Sequence, residues 1–256
     1  VKSDPHPRIE ICDVHKAYRV NGQRVQALAG LSLQAAKGDF VSIIGPSGCG
    51  KSTLFSIICG LQQPDRGEIR FDGVVAKHRT GTVGYMPQRD LLMPWRNVLE
   101  NVILGPEVQG EDLTVVQEEA TDLLPLFGLE GFANSFPATL SGGMRQRAAL
   151  LRTFLCHKEI MLLDEPFGAL DAITRTELQQ WLLGVWQRFR QTILFVTHDV
   201  EEAVFLSDYV YVFTPRPARV GAVLQIDLPR PRTRDLAYSP EFASFKHRLL
   251  AELSPG

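Results

Sequence analysis

A short apolar run that ends in a glycine-rich loop constrains this chain more than any other feature. Phe40–Ile44 has the composition of a fully buried strand, Gly45-Pro46-Ser47-Gly48-Cys49-Gly50-Lys51-Ser52 follows it directly, and Lys51–Cys59 reads as a helix closed by Gly60. The loop fits G-x-x-x-x-G-K-[ST] in full and stands in the strand–loop–helix context that the motif requires. Its glycines let the backbone turn tightly and bring N–H groups onto phosphate oxygens. Lys51 would add a compact positive charge between a β- and a γ-phosphate, and the Ser52 hydroxyl can ligate Mg²⁺.

The rest of the chain alternates around this unit. Ile9–Tyr18, Ala27–Gln34, Gly67–Phe71 and Thr82–Met86 read as strands, with a turn at Lys37-Gly38-Asp39. After Gln88 the pattern changes. Asn97–Leu104, Val115–Phe127 and Gly142–Leu155 carry helical periodicity with no strand between them, which predicts a helical insertion. Strands return at Ile160–Leu163 and Thr192–Val196, separated by a long helix over Ala172–Arg190, and Tyr209–Phe213 and Val223–Ile226 complete the sheet. Such alternation implies an α/β fold with a mostly parallel sheet covered on both faces. A tail from Leu228 carries several prolines and arginines, read as solvated surface, and ends in an amphipathic helix over Pro240–Leu253. The expected organisation is one domain over 1–256. Its core subdomain is about 1–88 and 157–227, its helical subdomain about 89–156 and its tail 228–256.

Composition removes several function classes. The formal net charge of -2 gives no basic excess of the kind a nucleic-acid binder shows. No apolar run approaches the roughly 20 residues that span a bilayer, and the N-terminus lacks a secretory apolar stretch. The chain therefore reads as soluble and cytoplasmic. Cys12, Cys49, Cys59 and Cys156 are scattered without a C-x-x-C pair, which predicts reduced thiols rather than a disulfide framework or zinc site.

Three further segments carry chemistry. Ile160-Met161-Leu162-Leu163-Asp164-Glu165 is an apolar strand ending in two carboxylates, so both acids arrive beside the phosphate loop. Asp164 would hold Mg²⁺, usually through water, and Glu165 would polarise the attacking water. The strand Thr192–Thr197 ends at His198, which could contact a γ-phosphate and the same water. Gln88, after the strand Thr82–Met86, is a neutral amide able to ligate Mg²⁺ and orient water. The run Leu140-Ser141-Gly142-Gly143-Met144-Arg145-Gln146-Arg147 is a second helix start, with Ser141 as N-cap and free N–H groups suited to an anion. His6, His15, His78, His157 and His247 have no such context and read as surface or packing residues.

These motifs, in this order, make the chain resemble the ATP-binding cassette (ABC) ATPase family along nearly its whole length. The matching positions are Tyr18, Gly45–Thr53, Gln88, Leu140–Gln146, Ile160–Glu165, Ala169-Leu170-Asp171 and His198. The resemblance implies the P-loop ABC ATPase fold, with N-terminal antiparallel strands and a helical insertion subdomain, and it implies ATP and Mg²⁺ as ligands. It implies that Tyr18 stacks on adenine and that Gly45, Pro46, Ser47, Gly48, Cys49, Gly50, Lys51, Ser52 and Thr53 hold the phosphates. Gln88 would link the Mg²⁺ site to a membrane subunit. Ser141, Gly142 and Gly143 would cap the γ-phosphate of ATP held by a partner subunit, and Asp171 would reach across that dimer. His198 would be the switch histidine. Two copies would pack head to tail, each ATP lying between one phosphate loop and the other copy's Ser141 segment.

Within the family, Met86–Val98, Gly142–Arg147 and Glu165–Asp171 are similar to the nitrate/sulfonate/taurine importer group, which also includes importers of thiamine precursors. Gly168 departs from the serine that many family members carry there. The implied setting is an ATPase subunit at the cytoplasmic face of the cell membrane. Separate permease subunits and, indirectly, a substrate-binding protein would be its partners. The short tail leaves no room for an added regulatory β-domain. An exporter ATPase or a soluble non-transport ABC protein is the alternative. Leu91, Leu92, Met93 and Trp95 form an apolar cluster after Gln88, either packing inside the helical insertion or forming a pocket wall for a permease helix.

Overall fold

The computed structural model describes residues 7–168 and 170–253; His6 and Ala169, both singled out above, lie outside the described residues. Two sheets are built. The first is antiparallel, with β1 (Ile9–Val20), β2 (Gln23–Ala35), β4 (Arg66–Phe71) and β5 (Val74–Val75) in the order β2-β1-β4-β5. The second has six strands in the order β10-β9-β3-β8-β7-β6: β3 (Phe40–Ile44), β6 (Gly84–Met86), β7 (Ile160–Asp164), β8 (Thr192–Val196), β9 (Tyr209–Phe213) and β10 (Val220–Gln225). All its neighbours pair in parallel except the β9–β10 edge.

Side-chain alternation on the central strands explains how the layers assemble. Val41 and Ile43 of β3, with Leu194 and Val196 of β8, pack with α1 (Lys51–Ile58) and the apolar face of the antiparallel sheet. Phe40 and Ile44, with Ile193 and Phe195, face the opposite way into a second core. That core is covered by α5 (Gly142–Phe154), α6 (Ala172–Phe189), α7 (Val200–Leu206) and α8 (Pro240–Leu253). Strands buried on both faces must be mostly apolar, and β3, β7 and β8, buried at every position, carry only Ser42, Asp164 and Thr192 as polar residues.

The helical insertion lies between β6 and β7, which are adjacent parallel strands. It contains α2 (Val98–Val102), α3 (Leu104–Gln109), α4 (Leu113–Leu123) and α5. The single helix expected over Asn97–Leu104 is instead two. Asn97 and Glu100 form a reciprocal capping box at the start of α2, and the helix ends at Ile103 before α3 sets off.

Two hairpins extend beyond the expected strands. β1 and β2 continue to Val20 and Gln23 because Asn21 (φ 50°) and Gly22 (φ 79°) form a two-residue turn with both residues left-handed. Asp72 (φ 50°) and Gly73 (φ 76°) do the same between β4 and β5. Both turns carry the Asn-Gly or Asp-Gly signature. The strand expected over Thr82–Met86 narrows to Gly84–Met86, and α7 is an element the sequence pattern did not reveal.

Candidate nucleotide site

The carboxyl ends of β6, β7, β8 and β3 converge, and each delivers part of one cleft. The loop after β3 is forced by backbone conformation. Gly50 has φ 132°, and a Cβ there would sit 2.8 Å from Leu28 Cδ2 and 3.2 Å from the Ala27 carbonyl. A Cβ at Gly45 would lie 2.9 Å from the Phe213 carbonyl. The loop is thus wedged between β2 and β9, and only glycine fits at these two positions. Lys51 is buried and folds back over the loop, its Nζ donating to the carbonyls of Gly45 (2.8 Å) and Pro46 (3.1 Å). The first N–H groups of α1 have no acceptor within the helix, so they remain directed at the cleft.

Asp164 ends β7 and is 4 % exposed. Burial pushes its carboxyl up from the usual range, while the Ser52 hydroxyl beside it pulls the other way. A hydroxyl, a carboxylate and a nearby amide oxygen form a hard-oxygen donor set. Mg²⁺ needs few protein ligands when phosphates and water complete its shell, so Ser52, Asp164 and Gln88 fit such an ion. Among the described residues no cluster of three His, Cys, Asp or Glu forms a self-sufficient metal cage.

Glu165 has φ 47°, a left-handed conformation that turns the chain sharply off β7 while its N–H still bonds the Val196 carbonyl at 2.9 Å. Its side chain therefore points into the cleft instead of along the sheet. The Gln88 Nε2 donates to Glu165 Oε2 at 3.0 Å, and His198 Nδ1 lies 3.5 Å from the same oxygen. Three residues from the ends of β6, β7 and β8 thus meet at one carboxylate. An open cleft of about 380 Å³ lies in front of them, lined by Ser47, Gly48, Gly50, Lys51, Ser52, Thr53, Gln88, Glu165 and Arg216.

Other sequence candidates lie outside this lining. Ser141 caps α5 by accepting from the Met144 N–H at 3.2 Å. Gly143 is packed so closely on α6 that a Cβ would stand 2.8 Å from Thr174 Cγ2. Asp171 caps α6, its Oδ1 accepting from Ile173 and Thr174 at 3.1 Å, and the Thr174 N–H holds this carboxyl below the usual range. The Tyr18 hydroxyl donates to Gln62 Oε1 at 2.6 Å and lies 3.4 Å from the Thr53 hydroxyl, so its ring stands beside the start of α1. Neither Ser141, Gly142, Gly143 nor Asp171 lines the cleft formed by the phosphate loop of the same chain.

The apolar cluster after Gln88 divides between its two readings. Leu92 is buried in the core, whereas Leu91 is exposed and Trp95 is 71 % exposed. Trp95 borders a groove of about 360 Å³ together with Ile103, Leu113, Glu107 and Gln117. The loop itself is fixed by Asn101, whose Nδ2 donates to the carbonyls of Met93, Arg96 and Asn97 and whose Oδ1 accepts from Met93.

Two arginines were missed in the sequence. Arg216 lines the cleft, yet Pro215-Arg216-Pro217 reads only as a turn. Arg175 donates to the Leu170 carbonyl at 3.0 Å and stands 3.6 Å from Asp199, linking the segments before Asp171 and after His198. Its position one turn into α6 gave no signal.

Residues 28–168 match the family model described as ABC transporter. An uncharacterized ABC transporter ATP-binding protein of Methanocaldococcus jannaschii is 44% identical over 243 residues, covering 95% of this chain and 90% of the relative. An aliphatic sulfonates import ATP-binding protein of Bacillus cereus is 38% identical over 97% of this chain and 96% of its own length. A formylaminopyrimidine import ATP-binding protein of Halalkalibacterium halodurans is 46% identical over 77% and 76% of the two chains. Among solved structures, a bacterial ABC transporter cassette determined as a dimer superimposes with a TM-score of 0.75 at 31% identity. The match covers 86% of this chain and all of that one. The same cassette in a post-hydrolysis state, bound to ADP and Pi, gives 0.73 at 30% identity.

Proposed function

Since the chain belongs to the ABC transporter family as an ATP-binding ATPase, we propose that it powers import of a small solute through separate membrane permease subunits, working as a head-to-tail pair of copies. One observation carries the paired arrangement. The phosphate-loop cleft is lined by Lys51, Ser52, Gln88 and Glu165 but by none of Ser141, Gly142, Gly143 or Asp171. A second anion-facing helix start that is absent from its own cleft has work to do in another copy's cleft. The dimeric cassette that shares this fold supports that reading.

In this mechanism the phosphate loop binds first. Lys51 gives up its two carbonyl partners for phosphate oxygens, and the N–H groups of α1 direct the β-phosphate. Ser52, Asp164 and Gln88 would hold Mg²⁺, which neutralises charge on the phosphates when bound. Glu165 Oε2 accepts a proton from the attacking water. Gln88 and His198 flank that oxygen and keep it aimed into the cleft. The helix start at Ser141 from the second copy closes over the γ-phosphate, its dipole worth roughly 0.3–1 kcal/mol per favourable charge contact. That contact exists only in the closed pair, so ATP favours closure and hydrolysis releases it.

The importer assignment rests on the sulfonate and formylaminopyrimidine import proteins among the relatives, and on the exposed Trp95 groove in the segment that follows Gln88 as a seat for a permease helix. The cargo class is a nitrate-, sulfonate- or taurine-type anion or a thiamine-precursor pyrimidine. No helix among the described residues is long and apolar enough to cross a membrane, in keeping with a peripheral subunit docked from the cytoplasmic side. Reconstitution with the permease pair and binding protein in liposomes tests this. ATP-dependent uptake of one of these solutes is expected, and an ATPase rate indifferent to the membrane subunits would overturn it.

A further inference from the structure

The loop between β9 and β10 places a cation against the phosphate loop. Arg216 donates from Nε (3.2 Å) and Nη2 (2.6 Å) to the carbonyl of Gly48. The segment that carries it is firmly anchored. Ala218 donates to the Ala27 carbonyl at 2.8 Å and accepts from the Ala29 N–H at 3.0 Å, so it joins the edge of β2. Thr214 closes the turn, bonding Arg219 through both its N–H and its hydroxyl at 3.0 Å. The guanidinium is exposed to solvent, yet its attachment point is as fixed as the sheets on either side.

Three features separate this arginine from an ordinary surface cation. It lines the same cleft as Lys51, Ser52, Gln88 and Glu165. No carboxylate stands within ion-pair distance of it among the described residues, so its charge is uncompensated there. Only part of its hydrogen-bonding capacity is used: a guanidinium has five N–H donors in a planar fork, and the Gly48 carbonyl occupies two. That carbonyl is also the group that most needs masking, because a bare carbonyl oxygen on a phosphate-binding loop repels the anion. Gly48 itself is left-handed (φ 72°), and a Cβ there would stand in ordinary contact with Arg216 Nη2 at 3.4 Å.

We propose that Arg216 is a nucleotide-binding residue: it clamps the phosphate loop through Gly48 and offers its remaining N–H groups to the phosphates of ATP. The inference rests on the reading of this cleft as the ATP site. Lys51 supplies charge from inside the loop, and Arg216 supplies it from outside. A fork geometry suits phosphate oxygens in a way a lysine or amide does not.

The test is MgATP affinity of the full chain, measured by calorimetry at several salt concentrations, for wild type, Arg216→Gln, Arg216→Lys and Lys51→Ala. Thermal unfolding without nucleotide is followed alongside. Arg216→Gln should weaken MgATP binding about 10-fold and flatten its salt dependence, the size expected for one lost charge-assisted contact. Arg216→Lys should recover part of the affinity and most of the salt dependence, because the charge remains. The unfolding temperature without nucleotide should move little in either variant. Wild-type affinity in Arg216→Gln, alongside weakened binding in Lys51→Ala, would overturn the role of Arg216 alone. Equal losses in the glutamine and lysine variants, with a lowered unfolding temperature, would reduce Arg216 to a loop support and overturn it too. Unchanged affinity in Lys51→Ala would instead overturn the reading of the cleft itself.

Discussion

Arg145 of α5 ion-pairs with Asp90 of the loop after Gln88, Nε to Oδ2 at 3.2 Å. Two turns further along the same helix, Arg152 donates to the backbone carbonyls of Asp90 (2.5 Å) and Leu91 (2.8 Å). The loop that carries Gln88 is therefore tied to the helix that starts at Ser141. A shift of one of these two elements is expected to carry the other with it. We expect Asp90→Arg to lower permease-stimulated ATP hydrolysis several-fold, and the swap Asp90→Arg with Arg145→Asp to restore it. Both side chains are about a third exposed, so the fold should lose less than about 1 kcal/mol. A swap no better than the single variant would disprove the link.

Replacing Glu165 by Gln removes the proposed proton acceptor and keeps the hydrogen-bonding shape. The variant should bind ATP, accumulate as an ATP-bound pair of copies, and lose about 10²–10⁴-fold in turnover. Sedimentation and phosphate release measure the two effects, and near-wild-type hydrolysis would remove Glu165 from its role.

Gly143 has no room for a side chain against Thr174. Gly143→Val must push the start of α5 away from α6, since the β-branched Thr174 cannot swing clear. The expected result is normal ATP affinity of the single chain with ATP-driven pairing lost. If affinity and pairing fell together, Gly143 would belong to its own chain's cleft.

Trp95 is a large apolar side chain left mostly in solvent beside a groove. Trp95→Asp should leave ATP binding intact and abolish coupled transport in reconstituted vesicles. Unchanged transport would show that the permease docks elsewhere.

Glu202 is buried beside the switch segment, accepting from Thr197 at 2.5 Å and from Gln179 at 3.2 Å. Burial pushes its carboxyl above the usual range. The folded state then holds more protons than the unfolded state between those two values, so this group's contribution to stability falls as pH rises through that window. Glu202→Gln removes the cost of burying the charge. Its unfolding temperature relative to wild type should therefore climb as pH rises above the usual carboxylate range. A difference that shrinks as pH rises would contradict the assignment.

Much of this protein was legible from local pattern. Runs such as Phe40–Ile44, Ile160–Leu163 and Thr192–Val196 are apolar apart from Ser42 and Thr192 and are buried at every position, the pattern of a strand covered on both faces. The phosphate loop was legible because glycine is demanded by backbone angle and close approach, both of which are local. The hairpin ends at Asn21-Gly22 and Asp72-Gly73 are not legible from apolar periodicity, because the strand tips beside them, such as Val20, Val74 and Val75, stand in solvent on a two-stranded edge. Gln88, Glu165 and His198 were each readable as strand-end residues, but their meeting at one carboxylate oxygen is set by strand order, with β7 seated between β6 and β8.

What the sequence determined, then, is which segments form strands and helices and which residue types bear phosphate chemistry, because periodicity and glycine geometry act over a few neighbouring residues. What only the tertiary structure decided is which of those residues share a cleft. Arg216 enters the cleft, and Ser141 stays out of it, through long-range packing of β9 against β3 and of α5 against α6. Contacts between segments far apart in the chain leave no periodic trace in it, since they are selected by the shape of the assembled layers.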